Sequence, residues 1–398
     1  MSSERPRVAV VGAGIAGLVI AAILRRRGIT CTVYEKTPVF DAVGAGIQLS
    51  PNGVRVLHSL GLAPALAERG VVAQAIETRR WDDGALLSRV PHGLACDEEF
   101  GAPYYLIHRA DLQRCLLRLL PEADVTLGRA VTEVVDGPDG AELRFGDGTR
   151  DTADLVIGAD GVHSAVRASL IADEPKFSGY AVYRGLIEAH EVPSFAADPR
   201  VMFWLGPRRH ITYYPICSGE TIHFSAVYAT EDSRPNSTST GAEANDLAEA
   251  FAGWHEEVRR VIAAPALVTR WGVFDRDIAQ RYVGQRIALV GDAAHPMLPY
   301  MSQGANQALE DAVVLTDCIS DSERDLSGAI KRYESLRMPR TTEVHGMSRN
   351  RADSFHYADG QCQQERDQVL AREQDLDHLA WLYGHDAARV VTPSVDVR

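Results

Sequence analysis

Residues 7–17 read RVAVVGAGIAG and residues 30–35 read TCTVYE. The first five residues form a short apolar run with β-branched side chains, the pattern of a parallel strand buried on both faces. GAGIAG follows, then a helical stretch to Arg27, with Gly28 suited to the position just past a helix end. Thr30–Glu35 reads as a second strand, so about thirty residues hold a βαβ start. Gly12 allows a tight turn, Gly14 lets a pyrophosphate approach the backbone, and Gly17 lets the helix pack closely on the strand. The helix N-terminus attracts phosphate through its free N–H groups and dipole. A lone GxGxxG is a weak signal, but here a strand precedes it, a helix follows, and Glu35 ends the second strand. Glu35 lies 35 − 17 = 18 residues after Gly17, near the roughly 20 of dinucleotide-binding units. A carboxylate there can accept hydrogen bonds from both ribose hydroxyls; the alternative is a structural turn beside a surface glutamate. Ala16 and Lys36 complete the expected cofactor contacts of this segment.

Outward from this unit, Ser50-Pro51 reads as a helix N-cap with proline at the first helical position, and Gly61 closes that helix. Another helix is expected from near Arg109 to before Pro121. Strands are expected at 125–127, 131–135 and 141–145, then a Gly146-Asp147-Gly148 turn and a buried strand at 155–158. From 179 to 228, aromatic and β-branched runs suggest an antiparallel, substrate-side sheet. Residues 231–242, EDSRPNSTSTGA, have no apolar face and read as an exposed loop; a helix is expected over 247–263. A strand at 286–291 and a long helix from near Gln303 precede a charged, mostly helical tail.

The 398 residues suffice for two or three packed layers. Hydrophobic residues at 45% and charged residues at 24% are ordinary for a soluble globular protein. No run of about 18 to 20 apolar residues exists to span a membrane. The opening MSSERP lacks the apolar core of a secretory signal. A net charge of −13 works against nucleic-acid binding, although an anionic substrate can still enter a locally basic pocket. Cys31, Cys96, Cys115, Cys217, Cys318 and Cys362 include no C-x-x-C pair. They read as reduced thiols of a cytoplasmic protein, with no metal site.

Two further segments decide which dinucleotide is bound. Residues 154–167 read DLVIGADGVHSAVR and residues 291–296 read GDAAHP. With GAGIAG, in this order and spacing, they resemble the three signature motifs of the FAD-dependent aromatic hydroxylases (group A flavoprotein monooxygenases), and the resemblance runs over about residues 5–390. Asp292 would end a strand at the carboxyl edge of the sheet, where ligands bind in open α/β folds. The resemblance implies that Asp292 holds ribityl hydroxyls, that Pro296 lies near the flavin ring, and that Asp160-Gly161 touches FAD and the nicotinamide cofactor. It also places Arg109, in IHRADLQRCL, near the FAD phosphates and ribityl chain. The structural alternatives are a helix cap for Asp292, a strand-to-helix turn for Asp160-Gly161 and a solvated arginine for Arg109. In PYMSQGANQALEDA, residues Gly304, Ala305 and Asn306 open a helix whose positive end would stabilise the anionic N1–C2=O edge of reduced flavin. The family pattern usually has glycine where this chain has Ser302. A single GxGxxG fits NADH or NADPH docking transiently on the flavin domain.

The expected fold class is therefore α/β: a Rossmann-like FAD-binding domain interwoven with a substrate domain on a mostly antiparallel sheet, plus C-terminal helices. The expected FAD-binding pieces are 1–75, 104–178 and 276–325. The substrate pieces are 76–103 and 179–275, and 326–398 is a helical region.

RRHITYYPI, residues 208–216, resembles the H-x-x-x-Y-P segment of the subgroup containing salicylate hydroxylase, 3-hydroxybenzoate 6-hydroxylase and 6-hydroxynicotinate 3-monooxygenase. On a strand, His210 and Tyr214 share a face roughly 13 Å apart along the chain. His210, with a pKa near 7, is the expected base that removes a phenol proton; the alternative is a strand histidine bonded to structure. Tyr214 is expected to orient substrate, and Tyr300 to tune substrate choice. Arg184, Arg208 and Arg209 are candidate carboxylate partners. The resemblance implies hydroxylation of a small phenolic or hydroxy-heteroaromatic carboxylic acid with NAD(P)H and O2 through a flavin C4a-hydroperoxide, in a monomer or homodimer. The rival readings are a flavin halogenase or dehydrogenase of the same fold, and a non-catalytic prenylated-protein escort. The halogenase W-x-W-x-I-P segment is lacking, and the retained DG and GD segments argue against the escort.

Overall fold

Val8–Val11 is buried at every position and pairs in parallel with Cys31–Tyr34 on one side and Leu155–Gly158 on the other. Adding Val125–Thr126 and Ile287–Leu289 gives a five-stranded, all-parallel sheet. Val8–Val11, Leu155–Gly158 and Ile287–Leu289 are buried at every position, which explains why they carry no polar alternation. The computed structural model describes residues 6–40, 45–234, 236–238, 242–265, 267–322 and 325–391.

The helix Ile15–Arg26 follows the first strand, and Gly28, at φ 70°, ends it in the left-handed region as its position requires. That helix and Gly304–Asp321 share the main apolar core with the parallel sheet. A three-stranded antiparallel sheet over 131–153 closes the same core.

The second layer is an eight-stranded sheet built from 75–91, 176–229, 236–238 and 268–275. It is antiparallel except where Arg200–Gly206 runs parallel to Ala75–Arg80. Its outer face, with Trp204, Ile211, Tyr213 and Phe224, packs under Leu247, Phe251, Trp254 and Val258. The two-layer α/β architecture matches the expectation.

Three local expectations are corrected. The helix expected over 247–263 is two, Ala242–Ala250 and Glu256–Ala263, separated by residues 251–255, which include Gly253 and Trp254. His255 caps the second, its ring accepting from the Glu257 N–H. Within the loop expected at 231–242, Asn236–Thr238 pairs with Thr269–Trp271 as an edge strand. Edge pairing needs only backbone groups, which an apolar pattern does not report. Ser50 precedes its helix as expected, but its hydroxyl bonds Asn52 and Gln303 instead of capping.

A buried ionic cluster fixes the Gly304–Asp321 helix against the long helix Leu326–Phe355. Arg337 reaches Asp311 Oδ1 at 2.8 Å and Glu310 Oε2 at 2.6 Å, and Arg340 adds two bonds to Glu310. Burial opposes ionisation of both acids, but Arg337 and Arg340 hold the Glu310 carboxyl at about 2, and His295 and Arg337 hold that of Asp311 at about 2. Asp311 also accepts the Gly291 N–H at 2.8 Å and His295 Nε2 at 2.6 Å, so the cluster sets the GDAAHP turn. No helix among the described residues is long and apolar enough to cross a membrane.

Candidate active site

The glycine loop has the geometry its spacing demands. Gly12 has φ 102°, and a Cβ there would lie 2.5 Å from the Ala159 carbonyl oxygen. At Gly17 a Cβ would sit 2.0 Å from the Gly12 carbonyl oxygen. Nothing lies within 4 Å of a Cβ at Gly14, so this edge is open for a ligand to approach the backbone. Glu35 Oε2 accepts the Ala13 N–H at 2.8 Å, while Oε1 accepts from Thr37 N and Oγ1. The acid is thereby locked beside the loop with lone pairs to spare. Lys36 is exposed, and Ala16 is small enough for its helix to approach Gly291.

Asp292 follows the Ile287–Leu289 strand and faces the start of the Gly304–Asp321 helix: a Cβ at Gly304 would lie 3.5 Å from Asp292 Oδ1. Asp292 is solvent-exposed, and its carboxylate has no hydrogen-bond partner among the described residues. Desolvation by the surrounding protein raises its pKa, against the pull of His295 and Arg109. Arg109 is exposed at the first position of the Arg109–Leu117 helix, close enough to act on Asp292 and Arg184. Pro296 is buried beside His295. Ser302 takes the left-handed conformation, φ 52°, which is why glycine suits that position.

Two predicted contacts have side chains already engaged. Asp160 accepts from Ser164 Oγ, Ala165 N and Val166 N, so it organises a turn, while a Cβ at Gly161 would meet nothing within 4 Å. Asn306 accepts the Ser50 N–H and donates to the Gln48 and Ser302 carbonyls, leaving the Gly304-Ala305-Asn306 backbone to face a ligand. Open backbone at Gly14 and Gly161, a helix N-terminus at each end and a free carboxylate at Asp292 together fit an elongated dinucleotide such as FAD.

Above these groups lies the inner face of the eight-stranded sheet. Directly opposed residues share a face, so His210 stands in a row with Leu205 and Val227, and Thr212 in a row with Phe203, Ser225 and Arg184. Tyr214 pairs with His223 in the next row. His210 and Tyr214 therefore share a face as expected. Four polar atoms here are buried without a partner: Thr212 Oγ1, Arg184 Nε, His223 Nδ1 and the Tyr300 hydroxyl. The Tyr300 ring meets His210 at 5.5 Å between centroids. Burial pushes the Tyr214 and Tyr300 hydroxyls up, so both stay neutral donors. Arg209 instead donates to the Ala250 carbonyl on the other face, and Arg208 lies in an exposed turn.

One expectation about His210 changes. Its Nδ1 lies 2.8 Å from His356 Nε2, at the end of the long C-terminal helix. Burial first, then His356, holds its pKa well below 6.5, not near 7. His356 itself is pushed down to about 4, mainly by burial. The Ala352 carbonyl, one helical turn back and short of hydrogen-bond geometry, favours a proton on His356 Nδ1. His356 Nε2 then accepts from His210 Nδ1, and His210 Nε2 is left as a lone pair. Sequence reading missed His356 because nothing local marks a helix-end histidine. Thr212 was within reach, since it alternates with His210 and Tyr214.

The match to known proteins follows this geometry. The family model described as FAD binding domain matches residues 5–348. The chain is 58% identical over 381 residues to 3-amino-4-hydroxybenzoate 2-monooxygenase of Streptomyces cremeus, covering 96% of this chain and 95% of that one. The chain belongs to the FAD-dependent aromatic hydroxylases. Against 6-hydroxynicotinate 3-monooxygenase of Pseudomonas fluorescens the hydroxylase is 34% identical, covering 87% and 91% of the two chains. Its fold superposes on Klebsiella pneumoniae HpxO complexed with FAD and uric acid with a TM-score of 0.85 and 30% identity, over 95% and 96% of the chains. The hydroxylase thus takes FAD as cofactor, with NAD(P)H as reductant.

Proposed function

We propose that this hydroxylase acts on 3-amino-4-hydroxybenzoate or a close aminohydroxybenzoate, adding one oxygen ortho to the amino group. The observation that carries this is the set of four polar atoms left without a partner, three on the inner sheet face that bears His210 and one on Tyr300, whose ring meets His210. A buried polar group without a partner costs free energy, so a small ring bearing several polar groups is the complementary ligand. The 58% identity to a 3-amino-4-hydroxybenzoate 2-monooxygenase supports the choice of ring.

The position of attack assigns the proton. In 3-amino-4-hydroxybenzoate, C2 is ortho to the amino-bearing carbon and meta to the phenol carbon. Electron density at C2 therefore comes from the amine nitrogen, and phenol ionisation contributes little there. Reduced FAD, when bound, supplies the electrophilic oxygen derived from O2. As the C–O bond forms at C2, positive charge develops on the nitrogen, and His210 Nε2 accepts the N–H proton. Loss of the C2 hydrogen as a proton to solvent, with return of the proton held on His210 to the nitrogen, restores the aromatic amine. Tyr214 and Tyr300 stay protonated and orient the ring as donors, and the covering 299–301 loop excludes water.

The test is NADH and NADPH oxidation by the FAD-loaded enzyme across aminohydroxybenzoates, hydroxybenzoates and hydroxynicotinates, with product mass analysis. Acceleration by 3-amino-4-hydroxybenzoate with a product gaining one oxygen is expected. Acceleration only by rings without an amino group would sink the aminohydroxybenzoate reading.

A further inference from the structure

The long helix Leu326–Phe355 presents Val344, Ser348, Ala352 and Phe355 to the protein interior, all buried. At 100° per residue, Arg351 falls about 20° beyond Val344, at the edge of that stripe, and is half-buried. A cation in such a position normally carries an anion with it. Arg337 and Arg340, lower on the same helix, do so through Glu310. The Arg351 guanidinium has no ion pair or hydrogen bond among the described residues, while its backbone carbonyl accepts from Ser354 Oγ; its guanidinium carbon lies 5.6 Å from the Phe355 ring centroid.

Phe355 places Arg351 at the active site. Its ring lies 5.3 Å from His210, 5.6 Å from Phe203 and 6.3 Å from Tyr300, all between centroids. From the tail, Tyr383 and Glu373 reach Arg351 only through space. Arg351 thus approaches the cavity from the wall opposite the sheet, one helical turn from the ring that touches the proposed base. Arg184, the other arginine of the cavity, stands on the sheet beside Tyr214 and Arg109, toward the cofactor cleft.

We propose that Arg351 is the carboxylate-binding residue of the aromatic acid site, holding the acid group of the ring while Phe355 and Phe203 flank it. This rests on the aromatic-acid reading above and adds the residue that selects acids over neutral rings. Burial depresses the Arg351 pKa, as an unpaired guanidinium requires, and a bound carboxylate would relieve that cost. A planar guanidinium matches a carboxylate with two parallel hydrogen bonds.

The experiment uses FAD-loaded wild type, Arg351→Met and Arg351→Lys, titrated with 3-amino-4-hydroxybenzoate and with its carboxamide, following the flavin absorbance change. Arg351→Met is expected to weaken the acid about 10- to 100-fold and the carboxamide by less than about twofold. Arg351→Lys should fall between, keeping the charge and losing the paired bonds. Substrate-free Arg351→Met should unfold at the same or a higher temperature, because an unpaired charge has been removed. Unchanged acid affinity in Arg351→Met overturns the proposal. So does equal weakening of acid and carboxamide with a lowered unfolding temperature, which marks a packing residue. If wild type instead binds another aromatic acid, that acid and its amide replace the pair, and the aminohydroxybenzoate reading alone fails. If wild type binds no aromatic acid, both readings fall.

Discussion

Glu35 Oε2 accepts the Ala13 N–H at 2.8 Å, tying the end of the second strand to the glycine loop 22 residues away. The acid is held before any ribose arrives, so little side-chain freedom is lost on binding. Glu35→Ala should weaken FAD binding about 10- to 100-fold, the worth of one or two hydrogen bonds to a charged group. Fluorescence titration of the flavin-stripped protein measures this directly. An unchanged dissociation constant would remove Glu35 from the ribose.

Gly17→Ala tests packing in the same unit. Its Cβ would lie 2.0 Å from the Gly12 carbonyl oxygen, a backbone atom that cannot swing aside. The first helix must back away from the strand, and the expected result is loss of flavin with a destabilisation of about 3 kcal/mol or more. Gly14→Ala meets no protein atom, so its Cβ should leave stability intact and impair flavin binding alone. Flavin content and thermal unfolding of the two variants separate these outcomes; matching profiles would contradict the assignment.

What was legible in the chain is what local backbone geometry imposes. Gly17 is fixed by a contact with Gly12 inside one βαβ unit and Gly12 by its left-handed turn as well as by Ala159, so their spacing survives in sequence. His210, Thr212 and Tyr214 are read by the period of two of a strand. The other cavity wall was illegible for a physical reason. His356 meets His210 across 146 residues, and Arg351 looks like any charged residue of a charged tail until the helix is docked. Asp160 shows the converse: its motif was readable, yet its carboxylate is spent on the following turn. The break at Gly253 and Trp254 was hidden because both flanking segments favour helix, and Trp254 packs into the core between them.

The ionic cluster between the Gly304–Asp321 and Leu326–Phe355 helices predicts an acid limb in stability. Glu310 and Asp311 titrate near 2 in the fold, against ordinary values of 4.5 and 3.8. A depressed carboxyl pKa contributes stability that is fully present above the unfolded value and lost as pH falls through the folded one. Wild type should therefore lose stability steeply between about pH 4.5 and pH 2. Arg337→Met removes the cation that the two buried carboxylates share, leaving Glu310 with Arg340 and Asp311 with His295, and should cost about 3 kcal/mol at neutral pH. Because those acids then titrate higher, the variant's deficit should shrink on acidification. Denaturant unfolding at several pH values measures both, and a constant deficit across pH would refute the assignment.

The histidine pair predicts an unusual pH profile for turnover. His210 is enclosed by His356 from the C-terminal helix and by the rings of Tyr300 and Phe355, with no carboxylate bonded to it. Burial and the His356 ring keep it unprotonated well below 6.5, so its Nε2 remains an acceptor throughout the neutral range. The acid limb of kcat for coupled hydroxylation should accordingly lie well below 6.5, the ordinary histidine value. His210→Ala should reduce coupled hydroxylation about 10²- to 10⁴-fold while flavin content holds. His356 is a positioning residue: it accepts from His210 Nδ1 and fixes the tautomer. Its ring also stacks on Tyr180 at 4.3 Å, so His356→Ala alone would mix packing with tautomer control. His356→Gln keeps an acceptor for the Nδ1 proton and should recover much of the kcat lost in His356→Ala, with KM little changed in either. Product quantification against NAD(P)H consumed, from pH 5 to pH 8, distinguishes the cases. Equal kcat in wild type and His356→Ala across that range would show that His210 holds its tautomer without help.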